Sequence, residues 1–175
     1  MRKRAEFRLR FPEADIAEWA ARFPDDGSDD VFLGNIRTLV LARGHLTRPE
    51  FLTICVWKSV RTKPSCRRNS AHRIETLTRA AFAASDEALK INLLRLLDGV
   101  EWPTASTILH FCDARPYPIL DYRALWSLGL AKPPSYTMEF WLAYLAFTRD
   151  LAVRIDLPIR TVDKALWQYS KERQK

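Results

Sequence analysis

Along most of this chain apolar residues recur every three or four positions, the period of helices that bury one face. Pro12 opens a segment in which Ile16, Trp19, Ala20 and Phe23 share a side. Asp29 and Asp30 are set to cap the next helix, with Val31, Phe32, Ile36, Leu39 and Val40 inward and Gly44 past its end. Thr47-Arg48-Pro49-Glu50 has the form of a capping box and starts a helix over 51–58. Asn69 or Ser70 begins another that runs to Ala84, and Ser85 caps a helix over 86–97. Gly99 closes that helix, and one over 103–111 follows after a very short turn. Pro116 and Pro118 make 114–120 an extended loop, because proline lacks an amide donor and restricts its predecessor.

Asp121 heads a short helix to Leu128, closed by Gly129, and Pro133-Pro134 separates it from an apolar helix over 137–155. Pro158 starts the last helix, with Val162, Leu166 and Tyr169 on one side. Trp126, Trp141 and Trp167 read as core. Only Phe7, Leu9 and Phe11 alternate like a strand, and one strand has no partner, so this segment reads as an extended arm laid on helices. The expected fold class is all-α, with about nine helices.

Composition removes several classes. With nine Phe, six Trp and five Tyr, the chain carries far more aromatic surface than a disordered polymer. Five Gly exclude a collagen-like chain. Cys55, Cys66 and Cys112 are odd in number and lack metal-ligand spacing, so reduced, packed thiols are expected, without a zinc site or a four-cysteine cluster. No apolar run approaches the roughly 20 residues of a membrane helix. The basic start resembles the head of a signal peptide, but Glu6, Arg8 and Arg10 interrupt any apolar stretch after it. A cytoplasmic monomer without cofactor or metal is the expectation.

The net charge is +7 and the isoelectric point about 9.6, values shared by nucleic-acid-binding proteins and by many others. Its placement says more. Residues 51–74 hold Lys58, Arg61, Lys63, Arg67, Arg68 and Arg73 and no acid. Arg2, Lys3, Arg4, Arg8 and Arg10 face only Glu6 at the start, and an acidic stretch follows. The basic block is either a solvated loop and helix or a surface for a polyanion.

Chemistry concentrates in 96–128, LLDGVEWPTASTILHFCDARPYPILDYRALWSL. Two helices flank a tight turn containing Gly99, and a helix N-terminus offers amide donors and partial positive charge to a phosphate. Asp121 stands at the head of the next helix, after the proline-stiffened loop.

This segment resembles the helix-hairpin-helix DNA glycosylase superfamily, the group of endonuclease III and the A/G-specific adenine glycosylase. The family pattern, loosely L-P-G-V-G-x-[K or S]-T-A-x-x-I-L followed by a loop and an aspartate, is met by Leu97-Asp98-Gly99-Val100-Glu101-Trp102-Pro103-Thr104-Ala105-Ser106-Thr107-Ile108-Leu109 and then Pro118-Ile119-Leu120-Asp121. The resemblance implies a two-lobed helical fold, with one lobe over 25–113 and the other formed by 1–24 and 114–175. It implies duplex DNA as partner and a catalytic role for Asp121. Gly99, Val100, Glu101 and Thr104 would then form the phosphate-binding hairpin. A softer match over 49–62 lays Arg61 on the family's gap-filling glutamine, and Lys58, Lys63, Arg67 and Arg68 become DNA contacts. Trp57, Trp102 and Tyr122 are candidates to stack on an extruded base, packing being the alternative for each.

Departures shape the expectation. Glu101 replaces the second hairpin glycine, and Pro103 falls where bifunctional members carry a Schiff-base lysine. No glutamate stands near Val56, where some members have an acid. The implied activity is therefore a monofunctional glycosylase that flips a damaged, mismatched or modified base. A non-catalytic DNA-binding or interaction module on the same fold is the alternative.

Overall fold

The computed structural model describes residues 6–24, 28–130 and 135–174 of the chain. Among them are ten α-helices and two 3-10 turns, with no strand, so the protein is all-α. The chain divides into two compact units, Asp25–Tyr117 and Met1–Pro24 with Pro118–Lys175.

The larger unit holds α2 (Ser28–Arg43), α3 (Arg48–Lys58), a 3-10 turn (Val60–Thr62), α4 (Lys63–Cys66), α5 (Ala71–Ala83), α6 (Glu87–Arg95) and α7 (Trp102–Cys112). Helix α7 is its axis: nine of its 11 residues are buried, and α2, α3 and α6 pack around it. Its sequence explains this, because WPTASTILHFC carries no acid, no Lys and no Arg and so has no side to turn to water. Phe51, Ile54 and Cys55 of α3, and Ile91 and Leu94 of α6, supply the facing apolar surface. Cys55, Cys66 and Cys112 are all free and buried.

Local signals set most boundaries here. The Thr47 amide donates to the Glu50 carboxylate at 2.8 Å, the reciprocal half of a capping box. The Ser70 hydroxyl accepts the Arg73 amide and starts α5. Asp86, rather than Ser85, caps α6, accepting the Leu89 amide at 2.6 Å. Asp29 and Asp30 lie within the first turn of α2 instead of preceding it. Leu39, expected inward, is 53% exposed, while Leu33, Ile36 and Val40 form the buried stripe of that helix. The short α4 is the helix the sequence pattern did not show.

The smaller unit holds the arm, a 3-10 turn (Glu13–Asp15), α1 (Ile16–Ala21), α8 (Tyr122–Ser127), α9 (Met138–Arg154) and α10 (Ile159–Arg173). Helix α10 is central, touching α1, α8 and α9. The arm lies as expected: Arg8 and Arg10 donate their amides to the Leu128 and Ser127 carbonyls at 3.0 and 2.9 Å. Phe11 is buried against Trp19 and Tyr169, and Phe7 packs on Phe140, Tyr144 and Phe147. Gly129 adopts φ +88°, and a Cβ there would stand 3.2 Å from the Arg8 carbonyl, so the arm needs glycine at this bend. Of the three tryptophans read as core, only Trp141 is fully buried; Trp126 and Trp167 are half-exposed. Pro133-Pro134, Arg2, Lys3 and Arg4 fall outside the described residues.

Candidate functional site

In the larger unit, the basic turn and the hairpin are fastened to each other. Asn69, 1% exposed, donates its amide nitrogen to the carbonyls of Cys66 and Asp98, both at 2.9 Å. Its oxygen accepts the Asp98 amide, also at 2.9 Å. One side chain therefore joins the end of α4 to the hairpin 29 residues later. Gly99 seals the joint. Its φ is +79°, and a Cβ would lie 2.8 Å from Cys66 Sγ and 2.9 Å from the Cys66 nitrogen. Both the left-handed backbone and the close approach require glycine. Arg73 donates to the Leu96 carbonyl at 2.5 Å, and Arg48 to the carbonyls of Arg67 and Asn69. A hydrogen bond from the Cys55 thiol holds the Cys66 thiol down to about 7, with burial opposing it.

The hairpin itself turns at Leu97–Val100, where the Val100 amide donates to the Leu97 carbonyl. Val100 is buried. Glu101 caps α7 with φ −99° and ψ 179°, ordinary extended backbone, so its replacement of glycine strains nothing. Its carboxylate is 77% exposed and stands 3.5 Å from Arg95. Among the described residues the amides of Glu101, Trp102 and Thr104 have no protein acceptor. Pro103 occupies the first turn, where its missing amide costs no helical bond. The first turn of α7 thus retains donors and the positive end of the helix dipole.

Around this joint the cations are distributed unevenly. Arg61, Arg67 and Arg68 are exposed; Lys58 and Lys63 are half-buried. Arg68 lies 3.5 Å from Asp98 with 64% of its side chain in water. Lys63 and Arg67 edge a shallow groove of about 310 Å³ over Leu52, Thr53 and Val56 of α3. Of the three aromatic candidates for base stacking, Trp102 is buried under Arg95, whose guanidinium sits 4.1 Å from its ring centre. Trp57 is half-buried, edge-on to Phe111 at 5.1 Å. Tyr122, in the smaller unit, is 49% exposed with Arg123 over its ring.

Asp121 also belongs to the smaller unit, at the head of α8, half-buried, with one carboxylate oxygen accepting the Arg123 amide at 2.9 Å. The segment before it is anchored through Ile119. The Ile119 amide faces both oxygens of the buried Asp163, at 3.2 and 3.3 Å. Its carbonyl accepts the Tyr144 hydroxyl at 3.0 Å. Burial and, after it, the nearby carboxylates of Asp163 and Asp121 push the Tyr144 phenol well above its ordinary range. Burial first and Asp121 second push up Tyr136 too. Both phenols therefore stay protonated to higher pH than a free tyrosine, and Tyr144 donates to the Ile119 carbonyl.

Sequence reasoning missed Asn69, Asp163, Tyr144 and Tyr136. Asp163 left a signal, an acid between Val162 and Leu166 on the apolar side of α10. The role of Asn69 left none, since its partners lie far along the chain. Among the described residues no cluster of three or more His, Cys, Asp or Glu could hold a metal, and no helix is long and apolar enough to cross a membrane. Comparison with protein-family models, curated proteins and solved structures returns no match.

Proposed function

We propose that this chain is a monofunctional DNA glycosylase of the helix-hairpin-helix type, acting on duplex DNA with one nucleotide extruded. The observation that carries the reading is the register of the hairpin with Asp121. A turn that admits only glycine opens a helix with free first-turn amides. Eighteen residues after Pro103 a carboxylate heads a second helix on a segment pinned at both polar groups of Ile119.

Each part has a task it suits. The first turn of α7 offers amides to one phosphate, and Arg61, Arg67 and Arg68 on the adjoining turn add charge to neighbouring ones. A base must leave the stack before its glycosidic bond is accessible. As that bond breaks, positive charge grows on the sugar. Asp121, ionised, stabilises that charge and orients the attacking water. Pro103 supplies no amine, so no Schiff base forms at that position and a strand-cleaving elimination is not expected from this motif.

One observation favours a second reading, a DNA-binding module without catalysis: an oxygen of Asp121 is already engaged by the Arg123 amide, as in any aspartate cap. A single experiment separates the two. Labelled duplexes carrying a panel of damaged, mismatched and modified bases are incubated with protein, and abasic sites are opened with alkali. The glycosylase reading expects cleavage of at least one substrate by the wild type and its loss in Asp121→Asn with binding retained. Binding without base release on any substrate leaves the module. Full activity in Asp121→Asn refutes the assignment of that residue.

A further inference from the structure

We propose that the groove between the N-terminal arm, the end of α8 and the last turn of α10 is a second seat for the DNA backbone, with Arg8 and Arg173 as its phosphate contacts. The inference rests on the DNA reading above and adds to it a surface on the smaller unit, separate from the hairpin.

The groove measures about 630 Å³, within the size range of real binding sites. Arg8, Arg10 and Arg173 line it and no acid does. Elsewhere in the unit two arginines have found carboxylates: Arg22 pairs with Glu172, and Arg154 with Glu13 at 2.6 Å. Among the described residues Arg8, Arg10 and Arg173 have no such partner. Three guanidinium groups sharing one groove repel each other, and an anion between them removes that cost.

The arm is built to present this charge. Period-two alternation buries Phe7, Leu9 and Phe11 more than their neighbours and turns Arg8 and Arg10 to water on the opposite side. The arm is also held in place, by its two amide bonds to α8 and by the Tyr169 hydroxyl, which donates to the Arg10 carbonyl at 3.0 Å. Arg10 lies flat on Trp126, 4.5 Å from the ring centre, and donates to the Trp126 carbonyl. It therefore stiffens the floor, while Arg8 and Arg173 stand at the rim, Arg173 with its guanidinium 5.6 Å from the Trp19 ring centre.

A polyanion fits better than a small anion. The groove is open, and all three arginines are exposed, so one phosphate ion would gain little there against water. A DNA backbone gains at each contact by releasing condensed counterions. Because Arg10 covers the Trp126 face, the groove reads phosphates and not bases, and its contribution is independent of sequence.

The test is a salt series of fluorescence anisotropy on a labelled duplex, with wild type, Arg8→Gln/Arg173→Gln and Arg67→Gln/Arg68→Gln. Arg10 is left intact because it holds the arm. Losing two phosphate contacts lowers the slope of log K against log salt by about 1.8, roughly 60-fold in affinity at ~0.1 M salt. The Arg8/Arg173 variant is expected to show that loss with an unchanged thermal melt, and DNA is expected to protect Arg8 and Arg173, but not Arg154, from phenylglyoxal. Wild-type affinity and slope in this variant, with weakening in the Arg67/Arg68 variant, overturn the second seat and leave the DNA reading standing. If the wild type binds no duplex, both fall. A mononucleotide that needs Arg8 and Arg173 while duplex affinity does not would overturn the inference in favour of a small anion.

Discussion

Asn69→Asp tests whether one buried amide holds the basic turn against the hairpin. The substitution is nearly isosteric, so packing is preserved and only hydrogen-bond polarity changes. The new carboxylate still accepts the Asp98 amide but no longer donates to the carbonyls of Cys66 and Asp98, both 2.9 Å from the present nitrogen. Two carbonyls lose their donor and face a negative oxygen, in a site only 1% exposed. Each stranded buried group costs about 1–3 kcal/mol, so a loss of roughly 3 kcal/mol is expected. For a chain of this size that lowers Tm by about 6–12 °C. Circular dichroism melts read it directly. Acidification adds a signature that a packing defect lacks: protonating the new carboxyl returns one donor, and part of the loss is recovered. The same variant is expected to bind duplex DNA more weakly, since the hairpin and its cations lose their common brace. A melt within about 2 °C of wild type at neutral pH, under the ~0.5 kcal/mol typical of neutral surface changes, would refute the clamp.

Two further outcomes follow from the larger unit. Lys90, 1% exposed, donates to the buried Asp113 and, at 3.2 Å, to the Phe82 carbonyl; the other Asp113 oxygen accepts the Arg115 amide at 2.9 Å with the Arg115 guanidinium at 3.7 Å, so Lys90→Met removes one of two cations and is expected to cost about 3 kcal/mol in urea unfolding, the low end for a broken buried pair, whereas Lys90→Met/Asp113→Leu recovers part of it. A double variant no more stable than Lys90→Met would show that the pair's charge is not what matters. The glycines divide sharply: Gly99→Ala meets Cys66 at 2.8 Å with φ +79° and is expected to lose more than about 2 kcal/mol. Gly34→Ala, mid-helix in α2 with nothing within 4 Å of its Cβ, is expected to gain about 0.5–1 kcal/mol, and equal melts for the two would contradict the geometry.

Helix positions were legible where a short polar residue preceded an apolar period, because the cap and its amide are within three residues of each other. Thr47, Ser70 and Asp121 start helices in this way, while Thr137, read as the first helical residue, is the cap that precedes one. Ser85 and Asp86 show the limit: two good caps stand in a row, and nothing local decides between them. Leu39 shows another, since a three-and-four spacing can be drawn through more residues than one helix face can bury. Trp126 reads as core by type, yet it forms the floor of an open groove, half-exposed beneath Arg10. Long-range polar partners are the least legible. Asn69 reaches Asp98, and Asp163 reaches Ile119 from 44 residues away; in each case the chain closes a contact whose two ends carry no shared pattern.

Asp121 is where a cap and a catalytic group would look alike, and Asp121→Asn separates them by stability rather than by activity alone. Asparagine caps a helix about as well as aspartate, so accepting the Arg123 amide does not need a charge. Nor does the anchoring of Ile119 by Asp163 and Tyr144, which lies before position 121 and is untouched by the change. The variant is thus expected to melt within a few degrees of wild type, for a cost under about 1 kcal/mol. What it removes is the negative charge of Asp121, the part of the arrangement that a growing sugar cation would use. Lost base release at near-native stability therefore assigns the charge to chemistry. A large loss of stability would instead mean that the carboxylate is structural, and the glycosylase reading would lose its central residue.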